Sequence, residues 1–277
     1  MDSLFVSTEW LAQHLDDPRV IVIDASWHMP NSARNAQAEY LAGHIPGAVF
    51  FDIDAIADTR TDLPHMLPEP GDFARMVGAL GIAADDTIVI YDELGLFSAP
   101  RVFWTFRTFG AGNVAMLEGG GPQWRAERRP IETGLATRPS VSFTPHFDGP
   151  RVAAFATVKA RSADGAAQIV DARPAPRFHA EAPEPRPGLK SGHIPNSRNV
   201  PVGLLTENGR MKAPEALRAL FAERGVALDR PIITSCGSGI TAVTLALALE
   251  RAGASDVAVY DGSWAEWGAH PEAEVES

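Results

Sequence analysis

The chain has 277 residues, enough for two medium-sized domains with cores of their own. Its net charge of −11 argues against a general nucleic-acid surface, and its 45% apolar content marks it as globular. A single cysteine leaves no internal disulfide and gives no sign of an oxidising compartment, and no apolar run is long enough to cross a bilayer. The opening Met1-Asp2-Ser3-Leu4 shows no basic stretch leading into an apolar one. No signal or transit peptide is therefore expected, and a cytoplasmic location is the plain expectation.

In chain order, short β-rich runs alternate with helical patterns. Strands are predicted at Val20–Asp24, Ala48–Asp52, Thr87–Tyr91 and Asn113–Leu117, with amphipathic stretches at Phe73–Leu80 and Arg101–Phe109. The segment 136–150 is rich in Pro, Ser and Thr, lacks a helical period, and reads as a linker. Beyond it the order repeats. Strands are predicted at Gln168–Asp171, Ser197–Pro201, Ile232–Ser235 and Asp256–Tyr260, with helices over Pro214–Arg224 and Ile240–Ala252.

The repetition extends to the residues. "VIVIDA" (20–25) parallels "AQIVDA" (167–172), "AGHIPGAVFFD" (42–52) parallels "SGHIPNSRNVP" (191–201), and "GAGNVAMLEGG" (110–120) parallels "GASDVAVYDGS" (253–263). A period of about 143 residues is too long for a solenoid and indicates a duplicated domain. Strand runs with little polar alternation suggest sheets covered on both faces, and strand–helix alternation suggests parallel strands. The expected fold class is α/β: two tandem domains, 1–138 and 153–277, joined by 139–152, each a mostly parallel sheet flanked by helices.

Cys236 stands where a predicted strand ends and a helix begins, followed by Gly237-Ser238-Gly239. Ligands of open α/β sheets bind beyond the carboxyl ends of strands. Gly237 and Gly239 tolerate positive φ, so the backbone can curl into a nest of N–H groups, and the next helix adds the positive end of its dipole. Such surroundings favour a thiolate, the nucleophilic form of cysteine. A lone cysteine is also a common small core residue, so both readings stand. Gly237-Ser238-Gly239-Ile240-Thr241-Ala242 fits a dinucleotide fingerprint with Asp261 near the ribose position, but too little chain follows Asp261 for that fold. A cysteine phosphatase would need an arginine closing the loop, where Thr241-Ala242-Val243 stands instead.

With "GHIPGA" and "GHIPNS", "DASWHMP" (24–30), "SAPRVFW" (98–104), "APEPRPG" (182–188) and "YDGSWAEW" (260–267), the chain resembles the tandem-domain rhodanese superfamily. The loop "CGSGIT" resembles that of the 3-mercaptopyruvate sulfurtransferases, whereas thiosulfate-type members carry Arg and Lys inside it. The resemblance implies sulfur transfer without metal or organic cofactor. Cys236 would take sulfur from 3-mercaptopyruvate as a persulfide, release pyruvate, and pass the sulfur to a thiol such as thioredoxin or to cyanide. Thiosulfate sulfurtransfer and a non-catalytic persulfide-binding module are the alternatives. The resemblance further implies that Arg177 and Arg186 hold the substrate carboxylate and keto oxygens. It places Gly237, Gly239, Ile240 and Thr241 in the substrate loop, and puts Ser238 and His44 in a Ser-His-Asp relay. The aspartate of that relay maps to Asn35, a departure. His193 repeats His44 in the other half, which also suggests a shared structural role. Asp92 matches Cys236 in the first half and cannot carry sulfur, so that half is expected to be non-catalytic.

Overall fold

The computed structural model describes residues 4–277, so part of the Met1–Leu4 opening lies outside the described residues. The chain divides into two compact units. One comprises Met1–Thr59, Leu67–Asp148 and Asn208–Arg210; the other comprises Arg60–Met66, Gly149–Glu207 and Met211–Ser277.

In the first unit the elements run β1 (Phe5–Val6), α1 (Thr8–His14), β2 (Val20–Asp24), α2 (Ala36–Ala42), β3 (Val49–Phe50), α3 (Pro70–Ala79), β4 (Thr87–Tyr91), α4 (Ala99–Thr108), β5 (Asn113–Leu117) and α5 (Gly120–Ala126). The sheet order is β1-β5-β4-β2-β3, with every pairing parallel. Every residue of β2 is buried, as a strand covered on both faces requires. Leu11, Val22, Val89, Tyr91 and Trp124 form one of its cores.

The second unit repeats the plan. It contains β6 (Val152–Ala153), α6 (Phe155–Asp164), β7 (Gln168–Asp171), α7 (Ala175–Phe178), β8 (Arg198–Asn199), β9 (Thr206–Glu207), α8 (Pro214–Glu223), β11 (Ile232–Ser235), α9 (Ile240–Ala252), β12 (Val257–Tyr260) and α10 (Ser263–Trp267); the chain also forms a short strand β10 (Arg210–Met211), which pairs with β9 and in which Arg210 is grouped with the first unit. Its sheet order is β6-β12-β11-β7-β8, again all parallel. Helix α9 starts after Gly239 (φ +80) and ends before Gly253 (φ +110), both left-handed. Ten of its residues are buried, so it is a core helix, and it lays the positive end of its dipole at the carboxyl edge of β11.

The predicted strands at 48–52 and 197–201 shrink to Val49–Phe50 and Arg198–Asn199. Both are edge strands with one neighbour each, and Pro201 has no N–H to extend the second. Helices α3 and α4 begin before their first buried aromatic, with Pro at the first turn, where its missing N–H costs nothing. Segment 136–148 has neither helix nor strand. It is pinned along the first unit by Val141 N–H to Gly78 O (2.9 Å), His146 N–H to Phe109 O (2.9 Å) and Asp148 N–H to Thr108 O (2.8 Å). Val152 and Ala153, placed at the domain boundary by sequence, form β6 of the second sheet.

Candidate active site

Cys236 is the first residue after β11 and is 2% exposed. Its N–H donates to Oγ of Ser263 at 3.1 Å, and Oγ lies 4.0 Å from the Cys236 sulfur. Two further bonds tie the loop to α10: Trp264 N–H to the Cys236 carbonyl and Ala265 N–H to the Gly237 carbonyl, each 2.9 Å. The sulfur thus sits at the carboxyl edge of the sheet, where the parallel fold collects ligands.

The two loop glycines differ in role. Gly239 has φ +80 and turns the chain into α9. Gly237 is not in the left-handed region; a Cβ there would stand 3.1 Å from Nη2 of Arg177. The expectation that both glycines supply positive φ is corrected: Gly237 makes room for a guanidinium. Ser238 and Ile240 are buried and Thr241 half-buried.

Arg177, at the end of α7, is held by Glu184, which accepts from Nε at 3.2 Å and from Nη2. Glu184 also accepts from Nη1 of Arg173 at 2.8 Å, and its side chain is 2% exposed. Arg173 completes its fork with Asp171 (Nε to Oδ2, 2.9 Å) and the Gly192 carbonyl (2.8 Å), and lies over the Trp264 ring at 4.0 Å. Asp171 and Arg173 thus form an internal ion pair, both side chains buried. A continuous charged chain therefore runs from Trp264 through Arg173 and Glu184 to Arg177 beside the Cys236 loop. Arg186 is half-buried in the same segment, which has no helix or strand between 179 and 192.

His44 lies in the first unit. Its ring is fully buried, stacks on Tyr40 at 4.1 Å, donates from Nδ1 to the Tyr40 carbonyl at 2.8 Å, and approaches Glu132 through Nε2 at 3.9 Å. His193 repeats this arrangement with Phe178 (ring 3.9 Å, carbonyl 2.9 Å) and Glu276 (3.7 Å). Both also form antiparallel bridges, to Glu132 and Glu276. Asn35 caps α2, its Oδ1 accepting from Ala38 N–H at 2.8 Å. An imidazole donating to a carbonyl and sealed against an aromatic ring is a backbone clamp.

The anion nest expected of the loop is explicit at Asp92, in the first unit. Its Oδ1 accepts from Leu94 N–H (2.8 Å) and Gly95 N–H (2.7 Å); its Oδ2 accepts from Phe97 (2.7 Å), Ser98 (2.9 Å) and Ala99 (2.8 Å). Five amides converge on one carboxylate, so a loop after a central strand of this fold is built to hold negative charge.

A family model described as a rhodanese-like domain matches residues 7–127 and again 155–270. The chain belongs to the rhodanese family. Its relatives include the 3-mercaptopyruvate sulfurtransferase of Escherichia coli K12, 47% identical over 273 residues that cover 98% of this chain and 97% of the other. The thiosulfate sulfurtransferase of Cricetulus griseus is 43% identical over 271 residues, 95% of this chain and 91% of the other. The crystal structure of the E. coli 3-mercaptopyruvate sulfotransferase SseA matches with a TM-score of 0.88 at 46% identity, covering 95% of this chain and 99% of that one.

The chain is therefore two rhodanese domains, each a parallel sheet flanked by helices. The cysteine belongs to the second and its aspartate counterpart to the first. Two residues that the structure places beside Cys236 and Arg177 were not singled out from the sequence, Ser263 and Glu184. Ser263 could have been found by setting the two halves side by side, since "YDGSW" in the second stands against "LEGGG" in the first. Glu184 carried no such signal, because Arg173 is not repeated in the first half. Among the described residues no group of three His, Cys, Asp or Glu side chains could hold a metal, and no helix is long and apolar enough to cross a membrane.

Proposed function

We propose that the protein is a 3-mercaptopyruvate sulfurtransferase working through a persulfide on Cys236. The carrying observation is the loop itself. It presents the sulfur at a helix N-terminus, contains no Arg or Lys, and has the Glu184-held fork of Arg177 alongside. A donor bearing a carboxylate suits a guanidinium fork at the loop's side, while an inorganic dianion such as thiosulfate would call for positive charge inside the loop. Arg177 and Arg186 take the carboxylate and keto oxygens in this reading. Gly237, Gly239, Ile240 and Thr241 shape the pocket around the transferred sulfur, with the Ser238 hydroxyl in the same turn.

The chemistry follows in two halves. The Cys236 thiolate attacks the donor sulfur, an S–S bond forms, and the C–S bond breaks with its electron pair passing to carbon as the enolate of pyruvate, which takes a proton. An acceptor thiolate then attacks the outer sulfur, and the pair returns to the Cys236 sulfur. A dithiol protein of the thioredoxin kind is a suitable acceptor, and the bacterial cytoplasm a suitable place. His44 is assigned the same structural clamp as His193, because its buried ring stacks on Tyr40 and its Nδ1 donates to the Tyr40 carbonyl. This reading does not require a relay through His44 and Asn35, whose Oδ1 accepts the Ala38 N–H at the start of α2.

Thiosulfate sulfurtransfer remains the second reading, favoured by the 43% identity to a relative of that name. Steady-state rates with both donors separate the two, and the expected result is a clear preference for 3-mercaptopyruvate. Intact mass after exposure to donor should show a gain of about 32 Da, one sulfur atom, that a thiol then removes. Cys236→Ser should abolish both. A preference for thiosulfate would move the assignment to the second reading, and an added sulfur that no thiol removes would leave only a persulfide-binding module.

A further inference from the structure

The backbone at Ser263 is left-handed, φ +49, although a side chain at this conformation is strained. The first unit makes the matching turn with Gly120 at φ +58. There Gly121 N–H donates to the Asp92 carbonyl at 3.0 Å, as Trp264 N–H donates to the Cys236 carbonyl at 2.9 Å. The half with an aspartate thus uses the unstrained residue, and the half with a cysteine accepts strain to place a hydroxyl. That hydroxyl is fully buried. It accepts from the Cys236 N–H at 3.1 Å, donates to the Tyr260 carbonyl at 2.8 Å, and stands 4.0 Å from the Cys236 sulfur. A hydroxyl has one proton and a free rotor, so the carbonyl and the sulfur compete for it.

We propose that Ser263 is a catalytic residue that holds the Cys236 thiolate. The inference rests on Cys236 being the sulfur carrier. While Cys236 is a thiol or a persulfide its inner sulfur is neutral, and the hydroxyl proton stays on the Tyr260 carbonyl. When the inner sulfur carries the charge, the rotor turns and donates to it, the sulfur closing the short remaining distance. The charge is there twice in a turnover, before attack on the donor and as the S–S bond breaks towards the acceptor. One hydroxyl therefore serves the nucleophile of the first half-reaction and the leaving group of the second, while the Cys236 N–H keeps the hydroxyl aimed.

The test separates the hydroxyl from the backbone. Ser263→Gly removes the hydroxyl and relieves the strain, as Gly120 shows the turn permits; Ser263→Ala removes the hydroxyl and keeps the strain. The rate of Cys236 alkylation by iodoacetamide across pH reads the thiolate without requiring sulfur transfer. Loss of a hydrogen bond to a charged group predicts alkylation about tenfold slower at neutral pH in both variants, with the pH profile displaced to the alkaline side. Transfer to a thiol acceptor should slow by a similar factor in both. Wild-type profiles in both variants would overturn the proposal. So would a slow Ala variant beside a wild-type-like Gly variant, which would make the serine a matter of packing alone. If alkylation shifts as expected while no donor yields a persulfide, the failure lies with the sulfurtransferase reading and not with Ser263 as a thiolate partner.

Discussion

A Cβ on Gly237 would stand 3.1 Å from Nη2 of Arg177, closer than side chains ordinarily approach, and the residue's φ is one any amino acid can adopt. The cost of a methyl group here therefore falls on the arginine. Arg177 cannot simply swing away, because Glu184 grips it while also binding Arg173, and Arg173 is pressed on the Trp264 ring. Gly237→Ala should leave the melting temperature close to wild type. It should lower kcat/KM for 3-mercaptopyruvate on the order of tenfold, mainly through KM, as one charge-assisted bond to the carboxylate is misaligned. A fall in melting temperature of several degrees with KM unchanged would place the glycine's role in the backbone instead.

At the scale of elements, the buried strands β2, β4, β5, β7 and β11 were legible to the residue, because a parallel strand covered on both faces is an uninterrupted apolar run. Edge strands β3 and β8 were overread, since apolar character continues past the last ladder bond, and the two-residue edge strands β1 and β6 were missed. The short helices α1, α2, α5, α7 and α10 were missed; at four to seven residues they hold too few turns for a period to show, and the ten-residue α6 was not singled out either. The cysteine and its turn were legible because chemistry marks them locally, whereas Arg177 came only from the family resemblance. Ser263 was not legible, because it meets Cys236 only through the pairing of β12 with β11, Thr234 opposite Val259. Asn35 and its helix carry a pH prediction. Arg34 and, behind it, His28 hold the Glu39 carboxyl at about 2, below its ordinary 4.5, with burial acting the other way. Nε and Nη2 of Arg34 reach Glu39 at 2.8 and 2.7 Å. A lowered carboxyl contributes stability that is full above its unfolded value and is lost as pH falls through the folded one. Glu39→Gln should thus destabilise at pH 6 by about 1 kcal/mol, the partial exposure of the pair screening the rest. The gap from wild type should close between pH 4.5 and about 2. A gap that stays constant across that range would mean that the pair contributes no charge-dependent stability.

Across the whole molecule, the duplication has kept the scaffold and changed the group held after the central strand. Both halves retain the histidine clamp on an aromatic and a carbonyl, and both bind an indole N–H to a late carbonyl, Trp124 to Pro130 at 2.8 Å and Trp267 to Glu274 at 2.9 Å. They differ after the central strand. In the second unit the loop holds the Cys236 sulfur, which in the proposed reaction gains and loses negative charge; in the first it holds the Asp92 carboxylate under five amides. Asp92 is 1% exposed, so these amides have little access to water as a substitute partner. Asp92→Asn keeps the shape but turns an NH2 towards N–H donors on one side. With two or three amides left unpaired, at about 1–3 kcal/mol each, the first unit should lose at least ~2 kcal/mol. Hydrogen exchange should locate the loss: amides 94–99 exchange faster, while those of residues 237–241 keep wild-type protection. Unchanged protection at 94–99 would mean that the loop holds its shape without an anion. The matching turn after Cys236 would then owe its form to Gly239 and α9, and the electrostatic account of the thiolate would have to rest on Ser263 and the helix dipole.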